Sequence, residues 1–197
     1  MKSILKSMIY KTVEIIQKIL LLISFFVFGV FIKRNGKNSW VCGVSEIAST
    51  LYFIGRVVKP SATVCLDKNP YYKLEYDFSI NISNKYLKFL YRIFYGPILL
   101  GSLANKNSHF LYIWHTGFLI NREYEFKFLK SKNKKIVCMF VGDDIRSPKL
   151  NLDLVKKMQI DHFIEYVGSQ IPYYLTDSYD DDKKRIASVA DKYADFI

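Results

Sequence analysis

The sequence lacks most of the short motifs that identify an enzyme class. It contains no Gly-x-Ser-x-Gly elbow, no His-Glu-x-x-His pair and no Walker loop. The Gly-x-Gly-x-x-Gly fingerprint of dinucleotide-binding folds is also missing, so we expect neither NAD nor FAD as a cofactor. No complete catalytic constellation can be read from the sequence, and the predicted function depends on where individual polar residues fall.

Cysteine is scarce, with three residues that are scattered along the chain. Cys42, Cys65 and Cys138 each lie in an apolar, strand-like run, and none belongs to a Cys-x-x-Cys pair. An odd, scattered set excludes both a disulfide framework and a zinc site. We expect three buried, reduced thiols in a protein that faces the cytosol.

Acidic residues are also in the minority, because 29 Lys and Arg outnumber 18 Asp and Glu and give a formal net charge of +11. Such an excess favours anionic partners. No basic stripe interleaved with aromatic residues forms a recognisable nucleic-acid motif, so nucleic acid is not expected as a partner. An anionic membrane fits better, beside an apolar N-terminus. The alternative is a generally basic composition rich in Lys, Asn and Ile.

The apolar N-terminal run is shorter than a bilayer requires. Residues 19–32 form an unbroken apolar run of about fourteen residues, whereas a spanning helix usually needs about twenty. Lys11, Glu14 and Lys18 precede it on one helical face. The basic stretch before the run is too long for a signal peptide and no small-x-small cleavage site precedes Lys33, so a cleaved signal peptide is not expected. Basic residues flank both ends of the run, which argues against a true span and favours an in-plane anchor. Residues 1–34 are predicted to be a membrane-associating helix. It either spans the membrane or lies in its plane, and the alternative is a helix buried against the next domain.

Residues 39–197 are predicted to form one Rossmann-like α/β domain, a parallel sheet with helices on both faces. Short apolar strands alternate with segments of helical periodicity, and the first strand–helix–strand unit implies a right-handed parallel crossover. The predicted strands are 40–44, 62–66, 109–115 and 135–141, with 194–197 opening a fifth. The predicted helices are 47–58, 85–103 with a break at Gly96-Pro97, 122–130, 151–158 and one starting at 180–182, while 69–83 is predicted to be irregular.

The most informative stretch is KKIVCMFVGDDIR, at residues 134–146. Its strand is apolar on both faces, which is typical of a strand inside a helix-covered parallel sheet. Ligands of such sheets gather at the carboxyl ends of strands, where Gly142, Asp143, Asp144 and Arg146 fall. Asp143 and Asp144 are candidate catalytic residues that orient sugar hydroxyls or accept a proton. Alternatively, one of them caps the next segment or pairs with Arg146. A Mg²⁺ site would need further oxygen ligands, so no metal is predicted.

Two other strand ends carry candidate residues. Gly43, Ser45 and Glu46 lie at the turn from the first strand to the first helix of the domain. Free helix amides bind polar ligands at such turns, and the alternative is a structural turn with Ser45 as the N-cap.

His115, Thr116 and Gly117 follow the third predicted strand, and His115 is a candidate general base or hydrogen-bond donor, unless it is a structural turn histidine. His109 and His162 are predicted to be surface or packing residues.

Three segments together resemble the N-terminal half of a bacterial GT-B glycosyltransferase of the group-1, GT4-like type. KKIVCMFVGDDIR resembles that family's strand and turn, with Gly142, Asp143, Asp144, Ile145 and Arg146 in the matching places. HFLYIWHTGFL resembles the preceding strand, which ends in His115, Thr116 and Gly117. KKRIASVADKYADFI is similar to the helix that leads into the next strand. The resemblance covers roughly residues 40–197.

The resemblance implies a function in surface-polysaccharide or glycolipid assembly. In that family the N-terminal domain receives a saccharide or lipid-linked acceptor at a basic, membrane-facing surface, and no metal is needed. The nucleotide sugar is held by a C-terminal domain that the resemblance does not cover, so its donor-binding residues have no counterparts here. The chain is therefore expected to be an incomplete glycosyltransferase at the inner face of the cytoplasmic membrane. The alternatives are a noncatalytic anchoring subunit that recruits a separate donor-binding chain, a truncated inactive fragment, or an unrelated Rossmann-like ligand-binding domain.

Overall fold

The fold is α/β, with a five-stranded parallel sheet flanked by helices and preceded by an apolar N-terminal helix. The computed structural model describes residues 2–31, 39–66, 73–82, 84–142, 146–159 and 163–197. The strands are β1 Trp40–Val44, β2 Ser61–Cys65, β3 Phe78–Ser79, β4 His109–Ile113 and β5 Lys135–Met139. The helices are α1 Lys2–Phe31, α2 Thr50–Val57, α3 Lys85–Lys106, α4 Arg122–Ser131, α5 Pro148–Met158, α6 Phe163–Gln170 and α7 Asp177–Tyr193. A 3₁₀ turn, Pro172–Leu175, precedes α7.

The strand order is β3-β2-β1-β4-β5, and every pairing is parallel. The chain moves outward from β1 through β2 to β3, and then returns through α3 to β4 on the other side of β1. The carboxyl ends of β1 and β4 are therefore neighbours where the direction of winding changes, which is the usual ligand crevice of open α/β sheets. This arrangement confirms the predicted Rossmann-like fold.

Two cores lie on opposite faces of the sheet. The larger one packs Phe110, Tyr112 and Ile136 of the strands against Leu100 of α3 and Phe126 of α4.

The smaller core joins Cys42, Cys65 and Ile113 to Leu51 of α2. Successive residues of a strand point to opposite faces, so Tyr112 and Ile113 enter different cores. The prediction of helices on both faces is confirmed, and so is the prediction of three buried free cysteines.

The prediction that the 135–141 strand is buried on both faces is wrong. Ile136 and Cys138 are buried, but Val137 is half-buried and Met139 is 36% exposed. β5 is the last full strand at its side of the sheet. The helix on the face of Val137 and Met139 is α2, and it packs on β1 and β2 rather than on β5. The final residues lie beside β5, where Phe196 forms an isolated parallel bridge with Val137, so the strand predicted to open at 194–197 is a single bridge in the structure.

Several element bounds differ from the predicted ones. The 69–83 segment contains β3, which is two residues long and too short for periodicity to reveal. α7 begins at Asp177 rather than at residues 180–182, because the side chain of Thr176 caps it. α3 continues through Gly96 and Pro97 without a break.

Contacts with α1 explain why α3 is continuous at its proline. Pro97 has no N–H, which leaves the carbonyl of Ile93 without its helical donor. The side chain of Gln17 in α1 donates to this carbonyl at 3.4 Å, and the hydroxyl of Ser24 donates to the carbonyl of Pro97 at 3.3 Å. α1 therefore supplies the hydrogen bond that the proline removes from the Ile93 carbonyl, and the two helices pack in parallel.

Candidate functional site

Three loops meet at the carboxyl edge of the sheet. Val44, Ile113 and Met139 end β1, β4 and β5 in matching register, so the loops that follow them are neighbours. The backbone N–H of Trp114 donates to the carbonyl of Met139 at 3.0 Å and ties two of the loops together. Of the described candidate residues, Ser45 and Glu46 follow β1, the three residues 115–117 follow β4, and Gly142 and Arg146 follow β5, whereas Gly43 lies within β1.

A pocket of about 300 Å³ lies beside the loop that follows β4. It is bounded by α1, by α3, by this loop and by the first residue of α4. Its lining residues are Tyr10, Gln17, Phe89, Arg92, Ile93, His115, Thr116, Gly117, Leu119, Ile120 and Arg122. The structure therefore brings the predicted residues His115, Thr116 and Gly117 together in one concave site.

A buried carboxylate shapes the inner side of this loop. Glu125 accepts hydrogen bonds from the backbone N–H groups of Phe118 at 3.2 Å and Leu119 at 2.8 Å, and from the hydroxyl of Tyr112 at 2.5 Å. Burial raises the pKa of Glu125, although the three donors and the nearby Arg122 oppose the rise. Burial and the adjacent carboxylate also raise the pKa of Tyr112. The loop is thus fixed by a side chain from the helix that follows it.

Two arginines border the pocket, and both hold backbone carbonyls of the loop. Arg122 donates to the carbonyl of Trp114 at 3.0 Å, and its guanidinium lies over the rings of Tyr112 and Phe126. Arg92 of α3 donates to the carbonyl of Gly117 at 2.9 Å. Their positive charge makes the pocket suited to an anionic group such as a phosphate.

The outer side of the loop is attached to α1. Gln17 accepts a hydrogen bond from the backbone N–H of Ile120 at 2.9 Å, and Glu14 accepts one from the side chain of Asn121 at 2.8 Å. Hydrogen bonds from Lys18 and Asn121 hold the pKa of Glu14 below its usual value, against a smaller opposite effect of burial. The N-terminal helix is therefore part of the wall of the pocket.

The residues after β1 do not line this pocket. Glu46 accepts hydrogen bonds from the backbone N–H groups of Leu51 and Tyr52 and from the hydroxyl of Tyr76. The side chain of Glu46 therefore caps the N-terminus of α2, which is the role that the sequence suggested for Ser45. Ser45 itself is buried. A β-carbon on Gly43 would lie 2.7 Å from the carbonyl oxygen of Val64, so this glycine permits close packing of β1 against β2.

The described candidate residues after β5, Gly142 and Arg146, do not line this pocket either. Gly142 has a φ of +115°, a conformation that favours glycine, and its carbonyl accepts from the backbone N–H of Arg146 at 3.2 Å. The guanidinium of Arg146 folds back over Gly142. Asp143 and Asp144 lie outside the described residues, as does His162. His109, at the other end of β4, stacks on Trp40 with ring centroids 4.5 Å apart, as expected for a packing residue.

Sequence reasoning missed Arg92, Arg122 and Glu125. Each lies in a helix whose polar residues looked solvent-facing, and nothing local distinguishes a buried Glu125 from its exposed neighbour Lys127. A buried role for Gln17 could have been predicted from the sequence, because a polar residue inside an apolar helix usually has a buried partner. Among the described residues, no group of three or more His, Cys, Asp or Glu side chains converges to hold a metal ion.

Comparison of the chain with protein-family models, with curated proteins and with solved structures finds no match. A functional proposal therefore depends on the residues and geometry of this chain.

Proposed function

We propose that this chain is the acceptor-binding half of a membrane-associated glycosyltransferase that acts in surface-polysaccharide or glycolipid assembly. The observation that carries the proposal is the pocket at the carboxyl end of β4. It combines His115 and Thr116, which can contact a hydroxyl, with the cationic side chains of Arg92 and Arg122. The three segments that carry the GT-B resemblance are neighbours in the structure. Two of them contain β4 and β5, and the third ends beside β5 at Phe196.

Membrane association is supported by the N-terminal helix. Ser7–Phe31 has the length and apolar character needed to cross a membrane, with 25 residues and a mean hydropathy of 2.1. Together with a net charge of +11, this helix favours the inner face of a cytoplasmic membrane, where anionic headgroups are abundant. The acceptor is then a saccharide, free or linked to a lipid.

In the proposed reaction, a hydroxyl of the acceptor lies in the pocket beside His115. The hydroxyl oxygen forms a bond to the anomeric carbon of a nucleotide sugar that a second domain or chain holds. The bond between that carbon and the diphosphate breaks, and the nucleoside diphosphate leaves with the electron pair. The imidazole of His115 takes the hydroxyl proton, or Asp143 or Asp144 does so.

The proposal is tested in two assays with the purified chain. In the first, it is titrated with a polyprenyl-diphosphate-linked saccharide in detergent, and separately with UDP- and GDP-sugars. We expect the lipid-linked saccharide to bind and the nucleotide sugars to show no tight binding. Tight binding of a nucleotide sugar by this chain alone would contradict the assignment as an acceptor half.

The second assay first asks whether the same or a neighbouring reading frame encodes a nucleotide-sugar domain, and then measures sugar transfer after the chain is combined with that domain. We expect His115→Ala to lower turnover by about 10²–10⁴-fold, the range for loss of a general base, while acceptor binding changes little. His109→Gln, at the opposite end of the same strand, is the control and should retain turnover. Unchanged turnover in His115→Ala would remove this residue from the mechanism. No transfer with any nucleotide sugar, despite acceptor binding, would favour the truncated inactive fragment.

A further inference from the structure

We propose that α1 and α3 together form a docking surface that lies in the plane of an anionic lipid bilayer, rather than α1 alone crossing it. The two helices are packed as one unit, and each leaves an apolar stripe exposed. The proposal concerns how the chain meets the membrane, so it stands independently of the transferase activity.

The interface between α1 and α3 has the character of helix pairs in membranes. A β-carbon on Gly101 of α3 would lie 2.8 Å from the backbone nitrogen of Phe25 in α1, so only a small residue fits there. The side chain of Asn105 donates to the carbonyls of Phe25 at 2.6 Å and Gly101 at 3.0 Å. Small residues and side-chain hydrogen bonds of this kind join helices where water is absent.

The outward side of α1 is a continuous apolar stripe. Its exposed residues recur at helical spacing along the face opposite Leu21, which is fully buried. The stripe comprises Ile15, Ile19, Leu22, Ile23, Phe26, Val27 and Val30.

The exposed side of α3 extends this apolar surface. Tyr86 is 81% exposed, and the other exposed residues are Leu87, Phe89, Leu90, Tyr91, Phe94 and Ile98. An exposed apolar stripe on each of two packed helices exceeds the scattered apolar residues of an ordinary soluble surface, and such patches mark interaction sites.

The contacts of α1 with the rest of the domain oppose a transmembrane orientation. Glu14 is bonded to Asn121, and Phe25 lies beneath the ammonium group of Lys132, 4.9 Å from its ring centroid. Glu14 and Phe25 are separated by about 16 Å along the helix axis, roughly half of the hydrocarbon thickness. A perpendicular helix would therefore carry Asn121 or Lys132 into the hydrocarbon, whereas an in-plane helix keeps both on the aqueous side.

Charge identifies a lipid surface as the occupant. The net charge of +11 complements anionic headgroups, and Lys11 lies on α1 itself, with Lys88 on α3. Tyr10, Tyr86 and Tyr91 add the aromatic residues that favour the headgroup region. Apolar stripes beside basic residues are the composition of helices that lie in the interface.

The docking surface continues to the pocket, because Tyr10 of α1 and Phe89 of α3 are both pocket-lining and exposed. If the proposed transferase function holds, an acceptor with a lipid tail can enter between these two residues while its tail stays in the bilayer. This consequence rests on the proposed function, whereas the docking itself does not.

The experiment is flotation of the full chain with vesicles of phosphatidylcholine containing phosphatidylglycerol, compared with phosphatidylcholine alone. We expect binding to the anionic vesicles and at least tenfold weaker binding to the neutral ones. Leu90→Glu on α3 should weaken binding to the anionic vesicles at least tenfold. Leu154→Glu on α5 is the matched control, because Leu154 is 55% exposed and Leu90 is 50% exposed, and it should change binding less than twofold.

Orientation is tested with single cysteines introduced by Ser7→Cys and Asn38→Cys, on either side of the apolar run. A membrane-impermeant maleimide added outside the vesicles should label both positions in the bound protein. Protection of either one would show a span and overturn the in-plane orientation. If Leu90→Glu binds the anionic vesicles as tightly as the wild type does, α3 is not part of the docking surface. The wild-type chain could instead form a dimer in detergent-free solution and fail to bind vesicles. If Leu90→Glu converts that dimer to a monomer, a second copy of the chain covers the stripes.

Discussion

Glu125 occupies the space in which a side chain on residue 117 would lie. A β-carbon on Gly117 would be 2.5 Å from the Oε2 atom of Glu125 and 3.2 Å from its Cδ atom. This carboxylate is held by two backbone N–H groups and the hydroxyl of Tyr112, so it has no freedom to move aside. The glycine of the His-Thr-Gly sequence therefore allows the loop to fold closely over the carboxylate.

We expect Gly117→Ala to lower the free energy of unfolding by about 1–3 kcal/mol, the usual cost of overpacking a filled site. Thr116→Ala at the half-buried neighbouring position is the control and should change it by less than about 0.5 kcal/mol. Urea denaturation followed by circular dichroism measures both. Equal stability of Gly117→Ala and the wild type would show that the carboxylate can be displaced.

Glu125 should make stability fall with increasing pH. Its folded-state pKa is raised above 4.5, so the folded protein binds this proton more tightly than the unfolded chain. The contribution of Glu125 to stability is therefore fully present below pH 4.5 and is lost as the pH rises through the raised pKa. Comparison of the wild type with Glu125→Gln isolates this effect, because glutamine does not titrate. The stability advantage of the wild type should shrink as the pH rises, and an advantage that grows would contradict the raised pKa.

Asp195 should have the opposite pH dependence. Burial raises the pKa of Asp195, but the backbone N–H of Ile136 and the ammonium groups of Lys130 and Lys135 outweigh it and bring the pKa to about 2. Its stabilising effect is therefore present above the ordinary value of 3.8 and is lost as the pH falls to about 2.

Asp195→Asn should cost roughly 2 kcal/mol at pH 7, and this cost should vanish near pH 2. Asp181→Asn, which removes only an exposed pair with Lys184, is the matched control and should cost less than about 0.5 kcal/mol. Denaturation curves at a series of pH values check both variants. A cost for Asp195→Asn that does not change with pH would show that its charge is unimportant.

The three thiols should be unreactive in the folded protein. Cys42, Cys65 and Cys138 are buried, and burial raises the pKa of Cys42 to about 12 and also raises that of Cys138. Since the thiolate is the reactive form, an aromatic disulfide reagent at pH 8 should modify none of them until denaturant is added, and then all three. Rapid modification of one thiol without denaturant would indicate local opening of its core.

The element order and the parallel sheet could be predicted from the sequence because each depends on local periodicity. Short apolar runs such as the one ending at Val44 alternate with helical segments, and this alternation admits few topologies. β3 could not be predicted, because two residues are too few to show a period. The exposed face of β5 was also missed, since its exposure depends on where α2 packs rather than on its own residues.

The candidate site was predicted in part. The position of His115, Thr116 and Gly117 at a strand end follows from sequence, because the carboxyl ends of parallel strands share one edge. Arg92 and Glu125 could not be found in this way, because a charged residue on a helix is equally compatible with solvent and with a buried partner.

The sequence by itself determined that an apolar helix precedes an α/β domain, because hydrophobic period and composition are properties of neighbouring residues. Only the tertiary structure decided what that helix does. Gln17 reaches the carbonyl that Pro97 leaves free, and it also accepts from the backbone of Ile120, more than a hundred positions away. Such pairings bring together residues that are distant in the chain, and the geometry of the whole fold determines them.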